Sequence, residues 1–113
     1  MNQNVQNSFK ALADPTRRMI LMHLSTQDMT IGEVTDQFKM TRAAVKKHLN
    51  ILENGNLISV LHQGRERINR LEPAGLKSVT QWLNYFDRFW DDRLDALNDA
   101  IEEQNISKEN NHD

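Results

Sequence analysis

Cysteine is absent, which removes disulfides, thiolate metal sites and cysteine nucleophiles together and fits a reducing cytoplasm. No apolar run approaches the roughly 20 residues of a membrane-spanning helix. The first residues, MNQNVQNSFK, lack the basic-then-apolar profile of a signal peptide. No Ser/His/Asp constellation, phosphate loop or pair of buried carboxylates can be placed, so no enzyme is expected. His23, His48, His62 and His112 show no paired ligand spacing. Net positive charge is missing as well: the chain is formally −2, an awkward total for a nucleic-acid binder. That total conceals two halves of opposite sign. Residues 1–71 carry ten Lys/Arg and six Asp/Glu, a net of +4, whereas residues 72–113 carry four and ten, a net of −6. A length of 113 residues suits one domain that builds its core without staples.

What is present centres on TIGEVTDQFKMTRAAVKKHLNILENGNL, residues 30–57. Thr30 is placed to cap a helix over 31–38, in which Ile31, Val34 and Phe38 share one face. Lys39-Met40 makes a turn, and Thr41 caps a second helix from Arg42 to about Asn54. Its apolar stripe is Val45, Leu49 and Leu52, which leaves Arg42, Lys46, Lys47, His48 and Asn50 outward. Ala43 and Ala44 keep the first turn slim for a close approach to another surface. Two short helices with a tight turn, the second basic on its free face, have the anatomy of a helix-turn-helix.

Around this block the chain reads in order. Residues 1–4 are polar and expected to fray. Val5, Phe9 and Leu12 predict a first helix. Asp14 as N-cap and Pro15 at the first helical position open a second, to about Leu24, burying Met19, Ile20, Leu21 and Leu24. Arg17 and Arg18 stand in its first turn, against the helix dipole, so they require partners, either acidic side chains or DNA phosphates. His23 lies among apolar residues as a structural histidine. STQDM, residues 25–29, is a turn. Gly55-Asn56 supplies the left-handed residue that ends the 42–54 helix. Leu57–His62 and Arg67–Leu71 then predict a β-hairpin with its tip near Gly64. Arg65, Arg67 and Arg70 lie on or beside that tip, as in the wing of a winged helix.

Glu72-Pro73 opens the last helix. Leu76, Val79, Leu83, Phe86, Trp90, Leu94, Leu97 and Ile101 follow at steps of three and four, a near-heptad seam widened by Trp82, Tyr85 and Phe89. One helix of nearly thirty residues is about 45 Å long, more than a small winged domain covers. Its far half therefore calls for the same helix of a second subunit, the alternative being a fold back onto its own domain. Val5 and Phe9 of the first helix are placed to complete that interface. QNISKENNHD, residues 104–113, reads as a disordered polar tail. The expected architecture is mostly α, about five helices and a two-stranded wing. Residues 1–103 form the DNA-binding and dimerisation domain.

LADPTRRMIL (12–21), the 30–52 block, GRERINRL (64–71) and the aromatic-bearing final helix together resemble the ArsR-type winged-helix repressors, over roughly residues 5–103. Tyr85, Phe86, Arg88, Phe89 and Trp90 resemble the aromatic cluster of the metal-ligand-free, autorepressor-like branch. The resemblance implies a homodimeric bacterial transcription factor on an inverted-repeat operator, cytoplasmic and nucleoid-associated when bound. It places DNA contacts at Thr41, Arg42, Lys46, Lys47 and His48 and at Gly64, Arg65 and Arg67 of the wing. Asn50 is a further DNA candidate from its outward position. The dimer residues are Val5, Phe9, Leu83, Phe86, Trp90, Leu94, Leu97 and Ile101. Lys46 stands where many relatives have a small hydroxyl residue, so a base contact becomes a candidate phosphate contact. Asn56 stands where relatives have Gly.

Metal sensing, familiar in the family, is not expected. The 31–38 helix lacks the Cys-x-Cys of the sensing branches, and the final helix has no His between Pro73 and Glu103. Asp91, Asp95 and Asp99 share a face, read as a solvated acidic stripe in preference to a weak hard-cation site. No cofactor is expected. Release from DNA is then left to a protein partner, to a small-molecule inducer near the aromatic cluster, or to dilution under autoregulation. In this reading Arg42 makes a bidentate contact to guanine. A competing function is a winged-helix protein-interaction module docking through the acidic final helix.

Overall fold

In the computed structural model, which describes the backbone of residues 3–110 and the side chains of residues 5–104, the chain forms six helices and three short strands. Residues 1–2 of the expected frayed N-terminus, and 111–113 of the expected tail, lie outside the described residues. The chain divides into two compact units, Met1–Thr80 and Gln81–Asp113.

The first unit begins with α1, Gln3–Leu12, and α2, Pro15–Leu24. Asp14 caps α2 by accepting the Arg17 N–H at 3.0 Å, and Pro15 opens it, as expected. A two-residue strand β1, Met29–Thr30, leads into α3, Ile31–Phe38, and then α4, Arg42–Asn54. Thr30 and Glu33 form a reciprocal capping box on α3, and Thr41 accepts the Ala44 N–H on α4. Lys39 ends α3 in the left-handed conformation, φ 51°. The hairpin is β2, Ile58–Gln63, paired with β3, Glu66–Leu71, in the register Ile58↔Leu71 to Gln63↔Glu66. Its two-residue turn has Gly64 first, at φ 60°, the glycine position of a type II′ turn.

Three expectations change here. The sheet has three strands, in the order β1-β3-β2, because Met29 and Thr30 pair with Asn69 and Ile68. Two residues carry no period, so a stretch read as a turn conceals a strand. Asn69, fully buried on β3, donates from Nδ2 to the Met29 carbonyl at 3.1 Å and ties the extra strand in. Met19 is 47% exposed, not buried, because the stripe Ile20, Leu21 and Leu24 already faces the core. The side chains of Arg17 and Arg18 bond backbone carbonyls: Arg17 Nε donates to the Ala11 carbonyl at 2.8 Å and the exposed Arg18 donates from Nη1 to the Leu12 carbonyl at 2.7 Å. Both thereby satisfy the orphan carbonyls that end α1.

The core joins Ala11 of α1, Ile20, Leu21 and Leu24 of α2, Met29 of β1, Ile31 and Val34 of α3, Val45, Leu49 and Leu52 of α4, then Leu57 and Ile58. Gly75, in α5 (Pro73–Asn84), donates its N–H to the Asn56 carbonyl at 2.8 Å. A Cβ there would stand 2.5 Å from both the Gly55 and Asn56 carbonyl oxygens, so α5 approaches the end of α4 by backbone alone. Asn56 carries the left-handed φ of 57° that stops α4, while Gly55 at φ −88° does not. Ser8 Oγ donates to the Gly55 carbonyl at 2.6 Å, which fixes α1 to the same point.

The expected single final helix is broken. α5 ends at Asn84 and α6 runs over Asp87–Asn110. Between them the Tyr85 and Phe86 N–H groups turn back to the Trp82 and Leu83 carbonyls, i to i−3, at 3.2 and 3.0 Å. Asn84 and two adjacent aromatics are poor helix-interior residues, and Asp87 favours a new N-terminus, so a seam of threes and fours crosses a break that it does not reveal. α6 also continues past Gln104, where the apolar spacing stops and the tail was expected, because backbone helicity does not require an apolar stripe. Phe86, Phe89, Trp90, Leu94, Leu97 and Ile101 are all exposed in the second unit, from 38% to 61%.

Candidate nucleic-acid interface

The exposed face of α4 is built by subtraction. Val45, Leu49 and Leu52 are fully buried, and the remaining angles of the helix leave Thr41, Arg42, Lys46, Lys47 and Asn50 exposed. No acidic residue occupies its first turn, where Arg42 stands. The Thr41 cap holds the helix N-terminus, the end that carries partial positive charge. Positive side chains and a positive helix end together favour an anionic partner.

His48 departs from the expected outward position. It is half-buried, and its Nδ1 lies 3.3 Å from Arg17 Nη1 on α2. Arg17 therefore joins the end of α1 and a side chain of α4 from one position. The Asp14 carboxylate is held below its ordinary value of 3.8, chiefly by the Arg17 N–H bonded to it.

The hairpin places Gly64 and Arg65 at an exposed tip and Arg67 half-buried on β3. Arg67 Nη2 reaches Asn50 Oδ1 and Glu53 Oε1 of α4, both at 3.5 Å. Asn50 and Arg67, both expected to face DNA, thus also link wing to helix. Arg67 Nε is buried with no acceptor. Arg70 turns elsewhere: it forms a fork to Asp28 Oδ2 at 3.0 and 2.9 Å, and this partner raises its pKa. Glu53 and Asp28 were not singled out from the sequence; their partners lie 14 and 42 residues away, and only the register of the hairpin brings them together.

The first turn of α3, Arg42, and the wing residues Arg65, Glu66 and Arg67 enclose a cleft of about 240 Å³. Sequence spacing gives no signal for this convergence, since three separate elements supply it. Among the described residues no three His, Asp or Glu side chains gather as a metal-holding group, and Asp91, Asp95 and Asp99 are spread along α6. No helix among them is long and apolar enough to cross a membrane.

The chain matches the family model of the bacterial regulatory proteins, arsR family, over residues 14–60. It is 35% identical over 85 residues to the transcriptional repressor SdpR of Bacillus subtilis, covering 74% of this chain and 94% of that one. The HTH-type transcriptional regulator Rv2034 of Mycobacterium tuberculosis is 32% identical over 97 residues, covering 86% and 88%. Among solved structures, that of the ArsR family transcriptional regulator RHA00566 superposes with a TM-score of 0.71 at 34% identity, covering 79% of this chain and 92% of that one.

Proposed function

This chain belongs to the ArsR family, as a transcriptional regulator with a DNA-binding winged helix-turn-helix and not an enzyme, and from that premise we propose that it is a homodimeric repressor of an inverted-repeat operator that releases DNA without sensing a metal. The observation that carries this reading is the basic exposed face of α4, capped by Thr41 and flanked by the arginines of the wing.

Affinity comes mainly from phosphate contacts with counterion release, made by Arg42, Lys46, Lys47, Arg65 and Arg67 twice over in a dimer. Thr41 and the exposed middle of α4 face the base edges. His48 and Asn50 act partly by positioning, through Arg17 and Arg67. Gly64 lets the wing turn tightly enough to present Arg65. Pairing uses Leu83, Phe86, Trp90, Leu94, Leu97 and Ile101, which would otherwise leave a large apolar stripe in water, together with Val5 and Phe9 of α1. The absence of any cysteine on α3 supports metal-free release, through a protein partner or a small-molecule inducer. The place of action is the cytoplasm, on the nucleoid.

The test is binding to DNA from upstream of the protein's own gene, with excess non-specific competitor and a salt titration. Selective binding as a dimer that weakens steeply with salt is expected. Binding abolished by competitor refutes sequence selectivity at that site. Retained dimerisation with no DNA binding even at low salt makes the protein an interaction module, docking through the apolar and acidic faces of α6.

A further inference from the structure

The cleft between α3, α4 and the wing has a chemistry of its own. Arg42 from the first position of α4, Arg65 from the hairpin turn and Arg67 from β3 line it together. Glu66 is the one carboxylate in its lining, so the guanidinium groups exceed it by two. Arg67 leans its Nη2 towards Asn50 and Glu53, and its Nε is buried without a protein acceptor. Guanidinium groups bind oxyanions by charge-assisted hydrogen bonds, so three of them around one cleft favour such a group there. Base edges lie on the floor of a groove and are read by side chains that protrude. Phosphate oxygens project from the duplex and fit a concavity.

We propose that this cleft seats one phosphodiester group of the DNA in each half-site, held jointly by Arg42, Arg65 and Arg67. Arg42 is then a phosphate ligand, replacing the guanine contact that its position in sequence suggests. Recognition helix and wing are indexed on the same phosphate, and Glu66 limits how strongly the cleft attracts free anions. The assignment rests on the repressor reading above and is tested separately from it.

The experiment uses the full chain on its selected site, on single-base variants of that site, and on duplexes carrying one neutral methylphosphonate at a time. Arg42→Ala is expected to weaken binding by a similar factor on every base variant and to lower the salt slope by about one per half-site. Arg42→Lys should recover most of that slope, as charge alone suffices for a phosphate. One methylphosphonate position in each half-site should weaken the wild type strongly and weaken Arg42→Ala or Arg65→Ala little further. A change of preference at one base position in Arg42→Ala, unrescued by Arg42→Lys, would overturn the proposal while leaving the repressor reading intact. So would a methylphosphonate penalty that persists in full in both variants. A wild type that binds no DNA removes both readings. A thermal shift by inorganic phosphate that is lost in Arg42→Ala would then mark the cleft as a free-anion site.

Discussion

Thr41 does two things with one hydroxyl: it satisfies the Ala44 N–H at 3.1 Å and sets where α4 begins. Thr41→Ala should cost about 1 kcal/mol of stability, read from the urea midpoint, while Thr41→Ser restores it. Loss of DNA affinity in both variants would separate a base contact from capping. Asp14 performs the equivalent task for α2, with a titratable group. Its folded pKa is lowered from 3.8 by the Arg17 N–H, so the stabilisation is present above the unfolded value and is lost as pH falls through the folded one. The stability gap between the wild type and Asp14→Ala should therefore hold at neutral pH and narrow only below pH 3.8, in denaturation curves taken across the acid range. Gly75 is a residue-scale constraint of a different kind. A Cβ 2.5 Å from two carbonyl oxygens forces backbone to move, and Gly75→Ala should lower stability by about 1–3 kcal/mol or more, visible as a reduced thermal midpoint.

At the scale of elements, legibility followed local rules. Caps and periods that act within one turn, at Asp14, Thr30, Thr41 and the Val45–Leu49–Leu52 stripe, were readable and gave α2, α3 and α4 their observed limits. Long-range pairings were not: β1 exists only because Asn69 and Ile68 come back to meet it, and the Arg67 link to Glu53 needs the hairpin register. The break at Tyr85–Phe86 was hidden for the opposite reason, since a regular apolar step of three spans it. The candidate DNA face was legible wherever helix geometry alone decides exposure, as for Lys46 and Lys47. It was not legible at His48, which Arg17 holds from α2. The break shortens the helix proposed for pairing and leaves its apolar stripe in place. Leu94, on α6 and 56% exposed, should be central to association. Leu94→Asp is expected to convert the protein from dimer to monomer in sedimentation equilibrium and to leave helical content nearly unchanged.

For the whole molecule, a formal charge of −2 conceals a net of +4 over residues 1–71 and of −6 over residues 72–113. In the repressor reading proposed above, the acidic residues from Glu72 onward disfavour polyanions along that half of the sequence and leave attraction to α4 and the wing. If folding and pairing are linked, the apparent melting temperature of the wild type should rise with protein concentration. The Leu94→Asp variant should melt at one temperature across the same range. The two compact units also differ optically. Both tryptophans, Trp82 and Trp90, fall within Gln81–Asp113, and they are 41% and 61% exposed. Indole emission from this protein therefore reports on the surroundings of Trp82 and Trp90. A blue shift on concentrating the sample would report burial at the pairing helix, with no label attached and no cysteine to attach one to.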